Sequence, residues 1–175
     1  GVRADYNVEV DFSGFEQIID AVGGVSVSLT SAEAYHLNNM GFGWSLTEGV
    51  NLLNGKQALH YSRIRKLDSD FGRTNRQRTV LNSLVETAKH LSATRLYELV
   101  NTLLPMVRTD MTDSDIAKLM VELLPILPDL QVTNQSIPYG NNYQFASIDG
   151  KSVIVLDGDN LQKNLDRLKE TIGDE

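Results

Sequence analysis

The run YSRIRKLDSDFGRTNRQRTVL, Tyr61 to Leu81, concentrates charge in one place. Between Arg63 and Arg78 it holds six basic side chains (Arg63, Arg65, Lys66, Arg73, Arg76, Arg78) and two acidic ones (Asp68, Asp70), hence +4 in a chain whose net charge is −7. A guanidinium is always charged and presents a rigid fork of donors that matches phosphate oxygens in pairs. The chemistry that suits this cluster is therefore recognition of phosphate. Arg63 and Arg65, two apart, project to the same side if they lie on an extended segment. Arg73 and Gln77, four apart, share a face at the start of a helix, with Arg76 three residues after Arg73. A pyrophosphate fits between the two groups, where a helix N-terminus would add free N–H donors. Asp70 falls between them, placed to hold an arginine, help bind a metal or act on a proton. The same composition also describes a solvated network of ion pairs, each individually weak, and the Asp68–Asp70 pattern also serves as a helix cap.

The remaining chemistry-bearing residues are sparse. His36, His60 and His90 lack ligand spacing, and His60, near the cluster, reads as a packing residue. Phe42 and Trp44 read either as core or as the lip of an apolar pocket. With no cysteine there is no disulfide framework, thiolate metal site or cysteine nucleophile. The acidic background argues against a general nucleic-acid binder, which needs a broad basic face. A single anionic ligand matches better.

These residues must be held by 175 residues of 41% hydrophobic content, enough for a sizeable core and one domain. YNVEVDF (Tyr6 to Phe12) alternates as a strand. SGFEQIIDAVGG follows with Phe15, Ile18, Ile19 and Val22 at helical spacing, and Val25 to Leu29 reads as the next strand. This β-α-β opening predicts an α/β class. Thr30 to Val50 reads as an excursion or ligand-facing loop, and Asn54 caps a short helix, GKQALHYSR. From Arg73 an apolar stripe (Val80, Leu81, Leu84, Val85, Ala88, Leu91) predicts a helix, with others at Thr94 to Leu104 and Ser114 to Leu124. LQVTNQSIP and SVIVLDG read as late strands joined by a hairpin-like connection at Tyr139 to Gly150, and Asn160 to Ile172 as a terminal helix. No apolar run reaches membrane-spanning length.

LLNGKQALHYSRIRKLDSDFGRTNRQRTVL resembles the signature of the LytR-CpsA-Psr family, L-N-G-x-x-A-L-x-Y-x-R-x-R followed by D-x-D-x-x-R-x-x-R-Q. VDFSGFEQIIDAVGGVSVSL is similar to the segment that precedes it there. The resemblance implies a cell-envelope phosphotransferase on the extracytoplasmic face of the cell membrane. Such an enzyme moves a glycopolymer, such as teichoic acid or capsule, from an undecaprenyl-pyrophosphate carrier to peptidoglycan. Carried over by position, Arg63, Arg65, Arg73 and Gln77 match pyrophosphate-binding residues, with Arg76 at the motif's second arginine. Arg65, Asp70 and Arg73 are the expected catalytic residues, and Arg78 is expected to face solvent.

The resemblance also implies Mg²⁺, held by aspartates that would lie upstream of Gly1, so no metal ligand is assigned within this chain. A membrane anchor is expected upstream as well. The expected organisation is one domain, residues 1–175, lacking its N-terminal strands and anchor. The expected fold is a layered α-β-α arrangement with a mixed central sheet and helices on both faces. A polyprenyl tail further requires an apolar tunnel beside the arginines, walled by the helices that begin at Arg73 and Ser114. Competing readings are a DNA-binding transcriptional regulator or attenuator, and a non-catalytic module that binds lipid-linked polymer. Nucleic acid is not an expected partner of the phosphotransferase.

Overall fold

The computed structural model describes residues 4–68 and 70–172, with the backbone alone at Asp70 and Ile172. It divides into two compact units, residues 1–131 and 132–175. The first contains β1 (Val8–Val10), α1 (Phe12–Ala21), β2 (Val25–Leu29), α2 (Ser31–Asn38), β3 (Gly49–Leu53), α3 (Gly55–Ser62), α4 (Asp70–Lys89), α5 (Ala93–Leu103), β4 (Val107–Thr109) and α6 (Asp113–Leu123). The second contains β5 (Gln144–Ile148), β6 (Lys151–Val155) and α7 (Gly158–Ile172).

The expected α/β class holds, whereas the single mixed central sheet gives way to small ladders. Among the described residues the strands pair as β1 with β4, β2 with β3 and β5 with β6, each antiparallel and two-stranded. The β-α-β opening does not produce a parallel pair, because β2 takes β3 as its partner in the register Val25↔Leu53 to Leu29↔Gly49. The run Leu130 to Pro138, expected as a strand, has no regular strand. β6 pairs instead with β5, which lies inside the stretch expected as a connection. The excursion after Thr30 contains α2, whose N-terminus Thr30 and Glu33 close as a capping box.

The core of the first unit follows from period-2 and period-3.6 patterns. Val25, Val27 and Leu29 of β2 are buried while Ser26 and Ser28 face outward. Against them pack Ile19 of α1, Ala34 and Leu37 of α2, Ala58 and Tyr61 of α3, Ile64 in the turn after α3, and Val80 of α4. α1 and α3 approach closely at Gly55, where any Cβ would run into the Glu16 backbone. The Gly55 N–H there donates to Asp20 Oδ1 at 2.7 Å. That contact fixes the start of α3 on α1, and α3 carries the chain into the arginine cluster.

Candidate functional site

α3 begins with Asn54 Oδ1 accepting from the Gln57 N–H at 2.9 Å and Gln57 Oε1 accepting from the Asn54 N–H at 3.0 Å, so two otherwise orphaned donors are satisfied. The helix ends at Arg63, which sits at φ −103°, ψ 0° rather than in an extended conformation. Ile64 then buries its side chain, leaving Arg63 and Arg65 exposed on either side of it. The apolar anchor between them therefore turns both guanidinium groups outward. Arg63 lies with its guanidinium carbon 4.4 Å from the centre of the Phe12 ring, a cation–π contact with the first residue of α1.

Arg63 and Gln77 line one cleft of about 290 Å³, together with Val10, Asp11, Phe12, Phe15 and Leu81. Asp11 caps α1 by accepting from the Gly14 N–H at 2.7 Å. Arg65 and Arg73 are not among the residues lining that cleft. Arg65 is exposed in the turn before α4, and Arg73 is half-buried in the first turn of α4, one turn ahead of Gln77. The side chain of Asp70 lies outside the described part of the structure. Arg78, expected to face solvent, is partly buried, and its Nη1 is 3.5 Å from Asn75 Oδ1.

Arg76 is placed differently from the others. It is 3% exposed. Its Nε donates to Glu33 Oε1 at 2.9 Å, Nη1 to Asp68 Oδ1 at 3.1 Å and to the Ile64 carbonyl at 3.3 Å, and Nη2 to Asp68 Oδ2 at 2.5 Å. Both oxygens of Glu33 are engaged, since Oε2 accepts from the Thr30 N–H at 2.9 Å in the α2 cap. This one guanidinium ties α2, the turn after α3 and α4 together. Asp68, one of the two D-x-D carboxylates, is held by Arg76.

A second cavity of about 380 Å³ has an almost wholly apolar lining that includes Val8, Ile18, Ala88, Val100, Ile116 and Leu123. Its walls come from β1, α1, α4, α5 and α6, so the helices beginning near Arg73 and Ser114 both contribute. The two cavities share three elements on matching faces. Val10 and Val8 lie on one face of β1, Phe15 and Ile18 on one face of α1, and Leu81 and Ala88 on one face of α4. From the rise per residue, the offset between them is about 5 Å along α1 and about 10 Å along α4.

His60, on α3 one turn before Arg63, has its pKa lowered from the ordinary 6.5, first by burial and then by the charges of Arg63 and Lys56. It touches Phe42 and Trp44, with ring centres 5.0 Å and 5.6 Å away. Among the described residues no group of three or more His, Cys, Asp or Glu is arranged to hold a metal ion. The described residues thus offer no three-ligand cage for Mg²⁺.

The model of the LytR_cpsA_psr family matches residues 1–170. The chain belongs to this family. It is 35% identical over 117 residues to the polyisoprenyl-teichoic acid–peptidoglycan teichoic acid transferase TagU of Bacillus licheniformis, covering 65% of the chain and 36% of that protein. To the regulatory protein MsrR of Staphylococcus aureus it is 30% identical over 176 residues, covering 99% of the chain and 51% of that protein. The crystal structure of B. subtilis TagV superposes with a TM-score of 0.70 at 25% identity, covering 97% of the chain and 64% of TagV. TagT bound to LIIa-WTA superposes at 0.72, also at 25% identity, covering 98% and 63%. The chain thus spans between a third and about half the length of these curated relatives.

In this family member, sequence reasoning missed Phe12, whose ring holds Arg63, and Asp11, which caps α1 at the cleft. The signal for Asp11 was present. An Asp standing between an alternating strand and an apolar helical stripe is a preferred N-cap.

Proposed function

We propose that the chain is the carrier-binding part of a phosphotransferase that moves a glycopolymer from a polyprenyl pyrophosphate to peptidoglycan at the extracytoplasmic face of the membrane. The observation that carries this reading is the pairing of a cleft that holds Arg63 and Gln77 with an apolar cavity on the same faces of β1, α1 and α4. A ligand with a pyrophosphate head and a long apolar tail needs both at that spacing. The teichoic acid transferase activity in the name of TagU, and the LIIa-WTA bound to TagT, support the same ligand class.

In the proposed reaction an acceptor hydroxyl oxygen bonds to the phosphorus that carries the glycopolymer. The bond from that phosphorus to the bridging oxygen breaks, polyprenyl phosphate leaves with that oxygen, and the hydroxyl proton passes to a base. Arg63, Arg65 and Arg73 balance charge on the phosphate oxygens and Gln77 donates to them, the positioning and charge stabilisation on which phosphoryl transfer depends. Asp70 is assigned to orient an arginine or take the proton. Mg²⁺, a membrane anchor and the single-domain organisation belong to the same reading, with the metal held by carboxylates other than those described.

The test is transfer of a pyrophosphoryl-linked polymer by the intact enzyme carrying Arg65→Ala, Arg73→Ala or Arg78→Ala. The first two lower the rate at least about 10²-fold, as expected for the loss of on the order of 2–3 kcal/mol of transition-state stabilisation, and Arg78→Ala does much less. Equal rates for all three would leave the cluster as surface charge.

A further inference from the structure

Beyond the carrier site, α3 presents a second set of groups. Phe42 and Trp44 have ring centres 4.8 Å apart, and both contact His60. Lys56 Nζ lies 4.0 Å from the centre of the Phe42 ring. Trp44 packs on the core, whereas Phe42 remains 42% exposed. Phe42 thus leaves a large part of its ring open to solvent, and the loop that carries it is well fixed. The Asn38 side chain donates to the Leu46 carbonyl at 2.8 Å and accepts from the Leu46 N–H at 2.9 Å. Asn51 does the same to Thr47, at 2.7 Å and 3.1 Å. Gly41 and Gly43, at φ 82° and 70°, bracket Phe42 with backbone that other residues rarely adopt. A rigid, exposed aromatic surface is pre-organised for a ligand, because little entropy remains to be lost on binding.

We infer that Phe42, Trp44 and His60 form the subsite for a sugar ring of the acceptor glycan, placing its chain so that a hydroxyl reaches the pyrophosphate at Arg63. This rests on the phosphotransfer reading above. The apolar C–H face of a pyranose suits the electron-rich face of an aromatic ring, while the ammonium of Lys56 and the imidazole of His60 meet hydroxyl and amide groups at its edge. Position supports the same assignment. Lys56, His60 and Arg63 fall at i, i+4 and i+7 and so follow one face of α3, with about 10 Å between the first and the last. A short run of linked sugars spans that distance. A bilayer surface is the poorer occupant, since the same loop carries Asn39, Ser45, Thr47 and Glu48 and the chain is strongly acidic overall.

Trp44 is the single tryptophan of the chain, so its emission reports on the site directly. Titration with soluble oligomers of N-acetylglucosamine gives a saturable emission change. Phe42→Ala, an exposed position, weakens that binding about fivefold, and Phe42→Tyr retains it. In parallel, calorimetry with a short-chain alkyl pyrophosphate gives binding that Arg63→Ala weakens at least about tenfold and Phe42→Ala leaves unchanged. Three results would overturn the inference: no saturable change in emission, equal glycan affinity in the wild type and Phe42→Ala, or an emission change with lipid vesicles but not with glycan. Glycan binding without pyrophosphate binding would instead strike the phosphotransfer reading and leave the aromatic subsite as a glycan site.

Discussion

Arg63 and Arg76 stand in one motif thirteen positions apart and do different work. Arg63 is exposed and leans on Phe12, whereas Arg76 is buried between Glu33 and Asp68. Removing Arg76 leaves the Glu33 carboxylate inside the unit without its cation, a loss of about 3 kcal/mol by analogy with other broken buried pairs. Arg76→Ala is therefore expected to lower the melting temperature by about 10 °C, while Arg63→Ala shifts it by about 2 °C or less and weakens pyrophosphate binding. Melting curves and calorimetry on both variants check this. Equal melting temperatures would show the buried network to be of no consequence. Nothing in the local sequence separates these two arginines, because the partner that buries Arg76 lies 43 positions earlier. His60 adds a pH dependence. Its folded pKa is depressed by burial, Arg63 and Lys56, so below about 6.5 the unfolded chain binds its proton more readily than the folded one. Stability supported by the neutral imidazole is thus present above that value and declines as the pH falls through the window below it. His60→Gln should flatten the decline in a series of melts between neutral and mildly acidic pH, and an unchanged profile would assign it to other groups.

At the level of elements, legibility tracks how local the cause is. α1 and α3 are plain in the sequence because their caps (Asp11, Asn54) and apolar faces lie within a few residues of one another. α2 was equally local. The Thr30-x-x-Glu33 box announces it, yet the glycines around Phe42 drew attention to the loop that follows. The β5–β6 hairpin was signalled too, by Asp149-Gly150, the dipeptide that suits a two-residue turn with positive φ at both positions. β1 was legible from the alternation of Tyr6 to Phe12, whereas its partner β4 was not, since a three-residue strand carries almost no pattern and the register joins Val8 to Thr109. Glu33 links the local and distant causes, for one carboxylate caps α2 and binds Arg76. Thr30→Ala removes the hydroxyl that Glu33 accepts from at 3.0 Å and is expected to cost about 1 kcal/mol on its own. Because the two sites share Glu33, Thr30→Ala and Arg76→Ala should be non-additive by at least about 0.5 kcal/mol in a double-mutant cycle of urea melts. Strict additivity would mean that the cap and the ion pair act independently.

For the molecule as a whole, charge and apolar surface are sorted into places a bifunctional ligand can use. The cationic segment is a small part of a chain with net charge −7, so duplex DNA at low salt should be retarded weakly or not at all, and strong retardation in a mobility-shift titration would revive the regulator reading. The Arg63–Gln77 cleft and the apolar cavity make a sharper forecast. If they bind two ends of one molecule, affinity for alkyl pyrophosphates must grow with chain length once the tail reaches from the cleft past Phe15 and Leu81 toward Ile18 and Ala88. Each methylene then leaving water adds about 0.8 kcal/mol, or about fourfold in affinity, until the cavity of about 380 Å³ is filled and the gain stops. Val100→Trp, which crowds the cavity without touching a charge, should move the plateau to shorter chains while leaving the affinity of the shortest pyrophosphates unchanged. Arg63→Ala should do the reverse, weakening every member of the series by a similar factor and preserving the slope. A flat series in the wild type, or equal displacement of the plateau by both variants, would mean that the cavity does not receive the tail of a ligand held in the cleft.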